Sequence, residues 1–106
     1  MATPENKVKA KVKDLLKEHK VYYVMSVTGG YGNSGAPDFL ICLKGKFVGL
    51  ECKAGNNRMT KLQEANSEHI LDSGGLFFLI NEQTLPQFEE LIKHTFKEVY
   101  ENQDYV

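Results

Sequence analysis

The chain has 106 residues, 42% of them hydrophobic and 25% charged, with a formal net charge of -1. That length holds one domain around a single small core, and a near-neutral balance argues against a protein that coats DNA along its whole surface. No apolar stretch approaches the roughly 20 residues of a membrane span, and the opening MATPENKVKAKVKD is polar and lysine-rich with no secretory signal. A cytoplasmic, membrane-free protein is the expectation. Cys42 and Cys52 lie inside apolar runs rather than in CxxC pairs, which argues against both a zinc knuckle and a disulfide scaffold. Charge is uneven: residues 1–20 carry six lysines against three acids, residues 81–106 two lysines against six acids. The basic end could meet phosphate, although lysines alternating along a helix equally suit a solvated face.

In chain order, Thr3 and Pro4 form an N-cap and first-turn pair, and Val8, Val12, Leu15 and Leu16 recur at helical spacing, predicting a helix over 4–19. VYYVMSV (21–27) reads as a strand, ending in the glycine-rich loop TGGYGNSGA (28–36). DFLICL and FVGLECKA flank Lys44-Gly45-Lys46 and predict a hairpin closed by a two-residue Gly45-Lys46 turn of the kind that takes glycine first. Thr60 and Gln63 form a capping box that opens a helix over about 60–73, stopped by Ser73-Gly74-Gly75. LFFLI (76–80) is a short strand, and Phe88, Leu91, Ile92, Phe96 and Val99 mark a last amphipathic helix over about 85–99, before a polar tail at 100–106. The order predicts an α/β fold: one mixed sheet flanked by helices, strands two and three antiparallel, strand four parallel to a neighbour.

With a Gly45-Lys46 turn, Lys44 pairs with Phe47, Asp38 lies opposite Lys53 and Leu40 opposite Glu51. Alternation then puts Asp38, Glu51 and Lys53 on one face at the open end of the hairpin. Two carboxylates there would repel unless one took a proton or a divalent cation lay between them. Mg²⁺ held by one or two carboxylates, waters and phosphate fits such a site. The same register sets Cys42 on the Asp38 side and Cys52 on the other, so both are expected as core thiols that cannot join. Glu5 falls on the apolar stripe of the first helix and so points toward the sheet, or it merely favours the helix N-terminus. Gln63 has its capping box as an alternative role. A Pro-Asp followed by acid-x-Lys arises by chance in roughly one chain in twenty-five of this size, so the order of elements around it carries the weight.

Pro37-Asp38 and Glu51-Cys52-Lys53 resemble the PD-(D/E)XK nuclease motif, and the αβββαβ order resembles the restriction-endonuclease-like core of that superfamily. The run from TPENKVK through VTGGYGNSGAPDFL, GLECKAGNN and TKLQEAN to SGGLFFLI is similar to the stand-alone VRR-NUC (virus-type replication-repair nuclease) domains of phages and bacteria, covering about residues 3–80. The resemblance implies a single nuclease domain in which Asp38, Glu51 and the Cys52 backbone carbonyl hold Mg²⁺ or Mn²⁺. Glu5 would complete the shell, Lys53 would orient water or neutralise charge on the phosphate, and Gln63 would bond the water or phosphate. It implies DNA as substrate, branched forms such as four-way (Holliday) junctions above all, and a homodimer acting in a bacterial or phage-infected cell.

TGGYGNSG lacks the Gly-Lys-Ser/Thr ending of a phosphate-binding loop and leads into a strand, so no nucleotide triphosphate is expected. It reads instead as a place for a DNA backbone to approach at Asn33 and Ser34, with Tyr31 stacking on an unpaired base and Lys7 and Lys11 meeting phosphate, or as a plain connection. Similar sequences often carry a basic residue where this one has Asn33, which counts against DNA affinity through the loop. His19, His69 and His94 have no metal-ligand spacing and read as surface or interface residues. A sequence-reading restriction-type or nicking enzyme shares the core but needs base-reading elements that this short chain lacks. A non-catalytic DNA-binding module would need no acid-x-Lys set.

Overall fold

A computed structural model describes residues 3–26 and 35–101, with 95–101 described by backbone alone. The elements are α1 (Pro4–Glu18), β1 (Tyr22–Met25), β2 (Phe39–Leu43), β3 (Lys46–Cys52), α2 (Lys61–Asp72), β4 (Leu76–Ile80) and α3 (Leu85–Glu101). The four strands form one mixed sheet in the order β1-β2-β3-β4, antiparallel except for the β3–β4 pair. This is the α/β order expected, a parallel fourth strand included. Its helix caps are the expected ones too. Thr3 Oγ1 accepts from the Asn6 N–H at 3.1 Å ahead of Pro4, and Thr60 and Gln63 close the box at the head of α2.

Sheet alternation divides the molecule. One face of β2 and β3 presents Phe39, Ile41, Leu43, Val48, Leu50 and Cys52, all buried against Val8, Val12, Leu15 and Leu16 of α1 and Phe88 and Ile92 of α3. The other face meets α2, over β3 and β4: Gly49 lies beneath Ile70, where an added Cβ would come within 2.9 Å of that side chain. Its β1–β2 half is open, leaving Tyr22 71% and Val24 48% exposed. Cys42 belongs to this open half and is exposed, whereas Cys52 is buried. The expectation of two core thiols is therefore corrected for Cys42: alternation gave its face, but α2 does not reach that far.

The hairpin turn also differs from expectation. Its central residues are Lys44 and Gly45, at φ +55° and +77°, so the turn has both residues in the left-handed region, the arrangement whose twist matches the flanking strands. Leu43 pairs with Lys46 and Leu40 with Gly49, not Lys44 with Phe47 and Leu40 with Glu51. A lysine at positive φ is locally unfavourable by roughly 1–2 kcal/mol. The register it permits lets the Asp38 carboxylate finish the β2–β3 ladder by accepting from the Cys52 N–H at 2.8 Å. Because the slip is two residues, every side chain keeps the face expected for it.

Candidate active site at the open end of the hairpin

Asp38 is fixed by its neighbours in sequence and across the sheet. The Ser26 N–H donates to the Asp38 carbonyl at 2.9 Å, and the Ser26 hydroxyl donates to the Pro37 carbonyl. Pro37 lies over Gly49, where a Cβ would come within 3.0 Å of the proline ring; only glycine lets Pro37 settle there without displacement. Carried one residue past the end of β2, the register sets Asp38 against Glu51 rather than against Lys53. Two carboxyl groups therefore face each other directly, Asp38 7% and Glu51 2% exposed.

Glu51 is held from α2. Gln63 Nε2 donates to Glu51 Oε2 at 3.1 Å while Gln63 Oε1 accepts from the Thr60 N–H at 2.9 Å. The capping box and the contact with Glu51 are thus made by one side chain, and the two readings of Gln63 in the sequence coexist. Glu51 Oε1 is buried with no N–H group to accept from. Burial, then the adjacent Asp38 charge and a hydrogen bond between the two carboxyl groups, pushes the Glu51 carboxyl up to about 8, against a smaller opposing pull from Lys53 and with Glu5 adding to the rise. Lys53 is half-buried just beyond β3, its N–H donating to the Ile80 carbonyl at 2.9 Å. Asp38, Glu51 and Lys53 thus converge on one end of the hairpin.

Glu5 also turns toward this end, but not alone. Lys9, one helical turn on, lies 3.8 Å from Glu5 Oε2 and 3.3 Å from Asp38 Oδ1. Burial pulls the Lys9 ammonium down, but the Asp38 charge and hydrogen bond, with Glu5 behind them, together hold it above its ordinary range. Sequence reasoning passed over Lys9 as one more solvated lysine. The signal was its spacing of four from Glu5, which puts both on the flank of α1 nearest the carboxylates.

Lys7 and Lys11 lie elsewhere, along a groove of about 160 Å³ with Pro4, Val8, Glu82 and Leu85. Glu82 there accepts from the Gly55 N–H at 2.8 Å, a bond that, with Lys11 nearby, holds its carboxyl below the usual range. The groove thus borders the loop that follows Lys53. Tyr31, Asn33 and Ser34 lie outside the described residues. His69 and His94 are exposed and His19 half-buried.

Among the described residues no group of three or more His, Cys, Asp or Glu side chains is gathered to hold a metal ion. The donor set nevertheless suits a hard divalent cation: two facing carboxyl groups, with no N–H group donating to Glu51 Oε1. Among the described residues, no helix is long and apolar enough to cross a membrane. No protein-family model, curated protein or solved structure matches the chain.

Proposed function

We infer that this chain is a divalent-metal-dependent endonuclease that hydrolyses phosphodiester bonds in DNA, branched DNA such as four-way junctions above all. The observation that carries the reading is the facing pair of buried carboxyl groups, Asp38 and Glu51, which without a cation coexist only because Glu51 holds a proton and bonds to Asp38. Two ionised carboxylates so placed would repel, and a divalent cation between them takes over the part of that proton.

Asp38, Glu51 and the Cys52 carbonyl would hold Mg²⁺ or Mn²⁺, with Glu5 reaching the same place directly or through water. When bound, such an ion lowers the pKa of a coordinated water and offsets the charge of the phosphate. Gln63 fixes Glu51 by its Oε2 and so leaves Oε1 as the oxygen offered to a ligand. Lys53 neutralises the charge that develops on the phosphate oxygens in the transition state. Lys7, Lys11, Tyr31, Asn33 and Ser34 are the proposed DNA contacts, and the ends released would be a 5′-phosphate and a 3′-hydroxyl.

The proposed assembly is a homodimer, two sites serving two strands of a junction. Its contact would not be the inner face of α3, since Phe88 and Ile92 are spent on the protein's own core. Purified protein should cut branched DNA in Mn²⁺ and stop cutting in EDTA, and should sediment as a dimer at micromolar concentration. DNA binding without cleavage in any divalent metal would replace the nuclease reading with that of a non-catalytic binding module.

A further inference from the structure

The geometry points to Lys9 as a built-in counter-ion that occupies the metal's place on Asp38, so that a divalent cation enters this site only by displacing it. The inference rests on the metal-dependent reading above and goes beyond it by assigning a role to a residue outside the acid-x-Lys set. Its basis is the allocation of the Asp38 oxygens. Oδ2 accepts from the Cys52 N–H at 2.8 Å, which fixes the carboxylate and completes the ladder. Oδ1 is then the oxygen left to face a cation, and the Lys9 ammonium is on it at 3.3 Å.

The arrangement is not an incidental surface pair. Asp38's side chain is 9% exposed and that of Lys9 24%, so the charges are screened much less than in an exposed pair. Lys9 is also delivered from within a 15-residue helix whose next turns are anchored by Val8 and Val12, 2% and 0% exposed. Glu5, at 3.8 Å on the other side, keeps the ammonium over this end of α1. Without metal, Lys9 supplies the positive charge that a buried carboxylate needs. With metal, two cations compete for one oxygen.

Competition and structural support make opposite demands on a variant without the charge. Lys9→Met keeps the apolar stem and removes the ammonium, with Lys9→Gln as a second variant should the first fold poorly. The whole chain would be titrated calorimetrically with Mn²⁺ alone, and its thermal midpoint measured in EDTA. Both variants are expected to bind Mn²⁺ about tenfold more tightly than wild type, the scale of one partly screened charge pair, while melting several degrees lower in EDTA. Binding of Mn²⁺ by a variant when wild type binds none would support the inference in its extreme form. Unchanged or weaker Mn²⁺ binding in both variants, with wild type binding normally, would overturn the role of Lys9 and leave the nuclease reading standing. Absence of Mn²⁺ binding in wild type and variants alike would overturn both.

Discussion

β2 and β3 turn two different faces to the rest of the molecule. Toward α1 and α3 they show Phe39, Ile41, Leu43, Val48, Leu50 and Cys52, none more than 6% exposed. Toward α2 they show Gly49 and Glu51, with Asp38 at the edge and an open half around Cys42. The first face gains its stability from apolar burial, at about 25 cal/mol per Å². The second gives up that gain to bury two carboxyl groups against each other. The same backbone thus carries stability on one side and a strained electrostatic arrangement on the other, and the two should come apart under mutation.

The largest separation is expected between Phe39→Ala and Glu51→Gln. Phe39 is fully buried, so its truncation should cost about 3–5 kcal/mol, measured by urea unfolding, and activity should fall only as the folded fraction falls. Glu51→Gln keeps shape and removes charge. Cleavage of a branched substrate should drop at least about a hundredfold, with the unfolding midpoint above neutral pH equal to wild type or higher. A Glu51→Gln protein that cuts at the wild-type rate would end the assignment of this face as the site. Isosteric changes are the right probe because both carboxyl groups are buried; an alanine at 38 would also strip the Cys52 N–H of its acceptor.

Gly49→Ala tests whether the faces are independent. An added Cβ would meet Ile70 at 2.9 Å and the Pro37 ring at 3.0 Å, overpacking worth about 1–3 kcal/mol. Because Pro37 carries Asp38 with it, cleavage should fall further than the loss of stability explains. Equal losses, judged by comparing activity per folded molecule, would show that Pro37 does not position the site.

Much of this division was legible in the sequence because it depends on parity and caps. Thr3-Pro4 and Thr60-Gln63 announce their helices by chemistry local to a few residues, and strand alternation puts Asp38, Glu51 and Lys53 together whichever even slip the hairpin takes. Three features were not legible. The turn was misplaced because a lysine at positive φ is locally disfavoured, and only the distant Asp38–Cys52 bond shows what the observed register gains. The exposure of Cys42 depends on how far α2 extends across the sheet, which no periodicity reports. Lys9 resembles its neighbouring lysines until the strand end carrying Asp38 is set against α1.

A separate effect concerns pH. Unfolded, Glu51 should ionise near its ordinary 4.5, whereas folded it keeps its proton up to about 8. Between these values the folded state binds more protons than the unfolded, so this group's contribution to stability falls as pH rises through the window. The metal-free wild type should therefore lose stability across that range relative to Glu51→Gln, in which every other titrating group is retained. Parallel curves for the two proteins would show that Glu51 is not held protonated by its burial and by Asp38.

The smallest effect separates the two tasks of Gln63. Thr60→Ala removes the hydroxyl that accepts from the Gln63 N–H at 3.1 Å but leaves the Gln63 side chain free to hold Glu51. Gln63→Ala removes both the acceptor for the Thr60 N–H and the donor to Glu51 Oε2. Each change should cost about 1 kcal/mol by weakening the head of α2, the usual worth of an N-terminal cap. Only Gln63→Ala also releases Glu51, so only that variant should cleave more slowly, by about tenfold if one hydrogen bond to a carboxylate is lost. Were Thr60→Ala to slow cleavage as much as Gln63→Ala, the order of α2 alone would govern the site, and the bond from Gln63 to Glu51 would have no separate part in it.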